Sequence, residues 1–184
     1  MYRFVSIVTI AWFNSANSGS YRETLNNPAF NLDISQTREG RIKYGYVFNI
    51  EQAINSDVGI FGRWSWNDGK TEIMAFTDID ASLSFGTSIK GTSWGRPDDT
   101  IGIGGAFNAL SRDHRDFIAA GGLGVLIGDG QLNYRQEKIF EAYYALALSK
   151  RITATADYQF ISNPAYNADR GPVSIFSGRL RGEF

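Results

Sequence analysis

The chain has 184 residues, a length that fits one domain, and 43% hydrophobic and 20% charged residues, both ordinary for a globular chain. A formal net charge of −1 offers no basic footprint for nucleic acid, and the lack of cysteine excludes a disulfide framework or a thiolate metal site. Aromatic residues at 14%, together with 20 glycines and only 4 prolines, point to a β-protein with tight turns and aromatic girdles.

Residues 1–13 hold a short apolar run behind Arg3 that imitates a secretory signal. The run reads better as a strand, with Phe4, Val8, Ile10 and Trp12 alternating with Arg3 and Thr9. Residues 14–40 are polar and irregular, long for a loop of a compact soluble domain. Residues 41–53 alternate cleanly. Ile42, Tyr44, Tyr46, Phe48 and Ile50 share one face, and Arg41, Lys43, Asn49 and Glu51 the other, because successive strand side chains leave opposite faces of the pleat.

After the turn Asn55-Ser56-Asp57, residues 57–66 set Val58, Ile60, Trp64 and Trp66 against Phe61, Arg63 and Ser65. Residues 80–93 set Leu83, Phe85 and Ile89 against Asp80, Ser82, Ser84, Ser88 and Lys90. The Arg96-Pro97-Asp98-Asp99 segment has the composition of a compact turn. Ile101, Ile103 and Phe107 follow within 100–110, and 111–136 is a long connection. In 138–149, Phe140, Tyr144, Leu146 and Leu148 oppose Glu141 and Tyr143. In the last hairpin, Ile152, Ala154, Ala156, Tyr158 and Phe160 oppose Thr153, Thr155, Asp157 and Gln159; Phe176, Leu180 and Phe184 oppose Ser177, Arg179 and Arg181.

This gives about eight strands, each near the length a tilted strand needs to cross hydrocarbon. The connections sort by side. Residues 54–57, 94–99 and 149–151 are short, while 14–40, 67–79, 111–136 and 163–171 are long. Short turns at one end and long loops at the other are the asymmetry of an outer-membrane barrel, with the apolar faces toward lipid and the polar faces toward a wet lumen. A soluble or secreted glycan-binding β-sandwich is the alternative; it predicts Trp64 and Trp66 in a core.

No catalytic constellation is recognisable. The glycine-rich stretch 121–130 lacks dinucleotide spacing and reads as a loop, with Gly128-Asp129-Gly130 a tight turn. His114, the only histidine, stands among Arg112, Asp113, Arg115 and Asp116, and reads as part of a solvated charged loop. Asp78 and Asp80 lack the remaining ligands of a calcium loop. An enzyme is not expected, nor any cofactor or metal.

The motifs Asn163-Pro164, Tyr166-Asn167 and Arg170-Gly171-Pro172 resemble the carboxyl-terminal signature of the OprB-type carbohydrate-selective porins of Gram-negative outer membranes. Further motifs at Gly19–Arg22, Trp94–Asp99, Gly121–Gly124, Ile127–Gly130, Asn133-Tyr134 and Glu141–Tyr144 extend the likeness over nearly the whole chain. The resemblance implies an antiparallel transmembrane β-barrel of about sixteen strands, of which residues 1–184 supply the carboxyl-terminal half. It implies outer-membrane lipid, small carbohydrates such as glucose and a missing amino-terminal half as partners, no nucleic acid, and is compatible with a homo-oligomer. Half a barrel alone should form an open, curved sheet; closure of eight strands would leave a narrow bore filled by side chains.

Under this reading Lys43, Glu51, Arg63, Asp80, Lys90, Glu141, Asp157, Gln159, Arg179 and Arg181 line a lumen. Sugars offer hydroxyls to charged groups and apolar ring faces to aromatics. The substrate-lining candidates are therefore Phe61 with Arg63, Tyr143 with Glu141, and Asp157, Gln159 and Arg179.

Overall fold

The computed structural model describes residues 5–73, 78–125, 127–128 and 130–183. Arg3, Phe4, Asp129 and Phe184, each assigned a place by the sequence, lie outside the described residues. The strands are β1 (Val5–Ser18), β2 (Glu39–Ala53), β3 (Val58–Asn67), β4 (Ala81–Gly91), β5 (Arg96–Ala109), β6 (Glu137–Ser149), β7 (Ile152–Ser162) and β8 (Val173–Gly182). They form one 8-stranded antiparallel sheet in sequence order. β1 and β8 do not pair with each other among the described residues, so the sheet is open. Among the described residues no second sheet packs against it, so the sandwich reading fails, and Trp64 remains 45% exposed.

Cross-strand register confirms two chemically distinct faces. On one, Phe48 faces Trp64, Trp64 faces Leu83, Leu83 faces Phe107, and further along Phe140 faces Phe160 and Tyr158 faces Phe176. Most of these side chains are exposed, and Phe176 and, on β1, Phe13 reach 79% and 81%. An apolar surface running over eight strands has no place in water and suits hydrocarbon. Near the long-loop end of β2 and β3, Tyr46 stacks on Trp66 at 5.3 Å and meets Trp64 edge-on at 5.0 Å. At the short-turn end Trp94 Nε1 donates to Tyr144 Oη over 3.1 Å. Rings at both rims form the expected girdles.

Two local readings are corrected. Val8, Ile10 and Trp12 face Asn49, Val47 and Gly45, which places them on the polar face. The lipid side of β1 is instead Val5, Ile7, Thr9, Ala11 and Phe13; both faces of this strand are apolar, so alternation alone does not orient it. Arg96–Asp99 is no turn but the start of β5. The turn is the short 3-10 segment Thr92–Trp94, closed by Gly95 at φ 75°, a left-handed conformation that favours glycine. Asp99, 1% exposed, accepts from the Arg96 side chain, from Tyr144 Oη at 2.5 Å and from Ala147 N at 2.9 Å, which locks β5 to β6.

The buried apolar core lies in the loops rather than between strands. Tyr21, Leu110, Phe117, Ile118, Ile127 and Tyr166 pack together, drawn from the β1–β2, β5–β6 and β7–β8 connections. The β3–β4 connection joins through Asp78, whose carbonyl accepts from Tyr166 Oη at 2.7 Å. Two helices build this cap: α1 (Tyr21–Asn26) and α2 (Arg112–Ala119). Ser111 caps α2 by accepting from His114 N at 3.1 Å, and Asp113 in the first turn complements the helix dipole. Arg22 bridges the helices by pairing with Asp113 and Asp116. A sheet with lipid on one face and water on the other has no interior; among the described residues the packed apolar cluster is the one built by the loops.

Candidate functional site: the polar face of the sheet

The period-two pattern that sends apolar residues to lipid sends the intervening residues to the opposite face. Phe61 and Arg63 project from β3, Glu141 and Tyr143 from β6, Asp157 and Gln159 from β7, and Arg179 from β8. Register carries this face across the sheet: Arg63 stands opposite Ser84, Tyr143 opposite Asp157, Asp157 opposite Ser177 and Thr155 opposite Arg179. Two recesses open on it. The larger, of about 760 Å³, is lined by Glu51, Phe61, Arg63, Ser84, Ser88, Gly102, Glu141 and Tyr143. The second, of about 510 Å³, shares Glu141 and Tyr143 and continues to Asp157, Arg179 and Arg181. Six of the seven sequence-predicted residues thus form one continuous track, with Glu141 and Tyr143 at its junction. Gln159 shares the face, opposite Glu141, but lines neither recess.

The track carries acceptors and donors side by side. Arg63 Nε donates to Asn49 Oδ1 at 3.2 Å, and Asn49 Nδ2 to Glu51 Oε1 at 3.2 Å, a chain that fixes the guanidinium against the wall. Arg181 pairs with Glu183 at 2.8 Å. Small residues, among them Ser84, Ser88, Gly102 and Gly104, floor the larger recess between these groups. Such a surface can exchange hydrogen bonds with a neutral polyol while its mixed charges disfavour ions of either sign.

Two residues predicted for the lumen belong to the cap instead. Lys43 Nζ donates to the Thr71 carbonyl at 3.0 Å. Asp80 precedes β4, is 2% exposed, accepts from Ser111 N at 2.9 Å and meets His114 Nδ1 at 2.9 Å. Burial would raise the Asp80 carboxyl, but its hydrogen bond with His114, electrostatic attraction to that ring and the Ser111 N–H outweigh burial and hold it below the usual carboxylate range. His114 is correspondingly not a solvated loop residue: it is fully buried and stacks on Tyr21 with ring centroids 4.4 Å apart. Burial pushes the Tyr21 and Tyr166 hydroxyls far above the ordinary tyrosine range. Sequence reasoning missed this pair because its partners come from different loops; the local signal was the Ser111 cap ahead of Phe117 and Ile118.

Residues 6–184 match the sequence profile of the carbohydrate-selective porin, OprB family. The chain belongs to that family. A search among curated proteins found no significant match. Among solved structures, the high-pH structure of Pseudomonas putida OprB superposes with a TM-score of 0.75 at 18% identity, covering 96% of this chain and 43% of that one. The likeness establishes the porin fold: the eight strands correspond to part of a longer barrel wall. This porin chain spans less than half the length of that structure, and its described sheet ends at the unpaired edges of β1 and β8.

Proposed function

We propose that this chain forms about half the wall of a channel in a Gram-negative outer membrane through which small neutral carbohydrates such as glucose diffuse passively. Residues 1–184 make up the carboxyl-terminal part of one barrel domain, and the chain acts as a channel rather than an enzyme. The observation that carries the reading is the continuous polar track from Arg63 to Arg179 behind a face of exposed aromatic and aliphatic residues. Family membership supports the carbohydrate class.

The open edges of the sheet support completion by further strands. The edge strands present unpaired N–H and C=O groups, which hydrocarbon does not tolerate, so β1 and β8 require neighbours from an amino-terminal half. The long-loop end, with its folded cap, faces the exterior, and the short turns face the periplasm. Within the track Arg63, Glu141, Asp157, Gln159 and Arg179 exchange hydrogen bonds with sugar hydroxyls, and Phe61 and Tyr143 offer their rings to the sugar's apolar faces. Binding stays weak so that the solute leaves.

The complete barrel, reconstituted in liposomes, should swell the vesicles with glucose and with short oligosaccharides. Glu141→Gln and Arg179→Gln should each slow sugar entry several-fold while small-ion conductance persists. Ion conductance without swelling in any sugar would overturn the carbohydrate assignment.

A further inference from the structure

On the polar face each aromatic residue of the described strands stands directly opposite a glycine. The pairs are Trp12 with Gly45, Phe61 with Gly86 and Tyr143 with Gly102. In each pair the ring lies over the glycine. A Cβ on Gly102 would come within 2.1 Å of Tyr143 Cε1, 2.3 Å of Cζ and 2.7 Å of Oη. A Cβ on Gly86 would lie 2.6 Å from Phe61 Cε1, and one on Gly45 2.8 Å from Trp12 Cζ2. The lipid face uses its glycines differently. Phe85 has Gly62 and Gly105 opposite it on its two flanks, yet a Cβ on Gly105 would stay 3.8 Å from the Phe85 ring, and the nearest side chain to one on Gly62 is Ile50 at 3.4 Å.

A glycine inside a strand weakens the strand and commonly marks a close approach of another group. Here the approaching group is a ring from the next strand. Phe61 on β3 reaches over β4, and Tyr143 on β6 reaches over β5. Gly86 faces Gly104, two residues from Gly102, so the two rings converge on the floor of one recess. Were these glycines alanines, the rings would have to lift away from the wall into the bore.

We propose that Gly86 and Gly102 are the bore-setting residues of the channel: each is a niche that holds an aromatic ring against the wall, so that they govern the largest solute that passes. This rests on the channel reading above and adds to it a determinant of size selectivity that carries neither charge nor hydrogen-bonding side chain.

Gly102→Ala is the cleanest test, because the three atoms nearest its added methyl all belong to the Tyr143 side chain. At Gly86 and Gly45 the methyl would also meet a backbone carbonyl, that of Ile103 or of Trp66. The complete barrel would be read by single-channel conductance in potassium chloride and by liposome swelling with a monosaccharide, a disaccharide and a trisaccharide. Gly102→Ala should lower conductance and reduce the trisaccharide-to-monosaccharide rate ratio several-fold. Gly102→Ala combined with Tyr143→Ala should show the conductance of Tyr143→Ala alone, because without the ring the added methyl has no side chain to displace.

An assembled Gly102→Ala barrel with parental conductance would overturn the proposal, even if its melting temperature falls, since that result assigns the pairs to sheet stability alone. Persistence of the Gly102→Ala effect without Tyr143 would overturn it too. Should Gly102→Ala fail to assemble, the double variant decides: assembly with the conductance of Tyr143→Ala alone supports the niche, and failure to assemble without the ring contradicts it. Conductance that follows this order in a barrel impermeable to all three sugars would refute the carbohydrate assignment and leave the niches standing.

Discussion

Phe85→Arg in the complete barrel is expected to lower folding stability by about 2–4 kcal/mol, whereas Ser84→Arg, one residue earlier, should cost less than about 1 kcal/mol. Phe85 sits mid-way along β4 on the apolar face, 48% exposed, with its ring near Phe107 at 6.2 Å. In water, exchanging such an exposed side chain for arginine would cost little. In hydrocarbon the guanidinium must either shed water or pull it into the bilayer. Ser84 faces the lumen, where an arginine stays hydrated and meets only the like charge of Arg63 across the strand pair. Denaturant titrations of the barrel refolded into vesicles measure both. Equal losses, or a larger loss at Ser84, would contradict the assignment of faces.

Phe117→Ala should loosen the cap and spare the barrel. Phe117 is 1% exposed, tilts against Tyr21 with ring centroids 5.2 Å apart, and fills the space beside Gly122. Removing a fully buried phenylalanine ring costs about 3–5 kcal/mol, and here the loss falls on a small cluster of six buried apolar residues. Protease added to whole cells should then cut within 110–136, while the protein keeps its heat-modifiable migration. An unchanged protease pattern would mean that the cap does not depend on this core.

How much of this was legible in the sequence differs between wall and cap. The wall was legible because a strand with unlike environments on its two faces must alternate: Ile42 to Ile50 against Arg41 to Glu51 shows which side chains share a face. The same alternation placed Phe61, Arg63, Glu141, Tyr143, Asp157 and Arg179 on one surface before any coordinates. It failed at β1, where Val8, Ile10 and Trp12 are apolar yet face inward, because no polar partner marks the other side. The Arg96-Pro97-Asp98-Asp99 segment misled for a related reason. Its residues suit a turn locally, but Asp99 is held by Tyr144 and Ala147, far along the chain.

The cap was the least legible part. Arg22 meets Asp113 and Asp116, His114 meets Asp80, and Tyr166 meets the Asp78 carbonyl. None of these contacts leaves a periodic trace, since each joins different connections. The aromatic–glycine pairs lie between these extremes. Both members are plain in the sequence, but only the register shows that each ring has a glycine opposite.

The most direct test of the central claim uses the fact that the protein has no native cysteine. Single cysteines would be placed at neighbouring positions of alternate facing, Arg63 and Trp64, Ser84 and Phe85, Glu141 and Phe140, Asp157 and Tyr158, in the complete barrel embedded in outer membrane. A small membrane-impermeant thiol reagent should label positions 63, 84, 141 and 157 rapidly and leave 64, 85, 140 and 158 unreacted, with a lipid-soluble reagent reversing the order. Equal aqueous labelling on both faces, or protection of the polar positions, would show that this sheet is not the wall of a membrane channel.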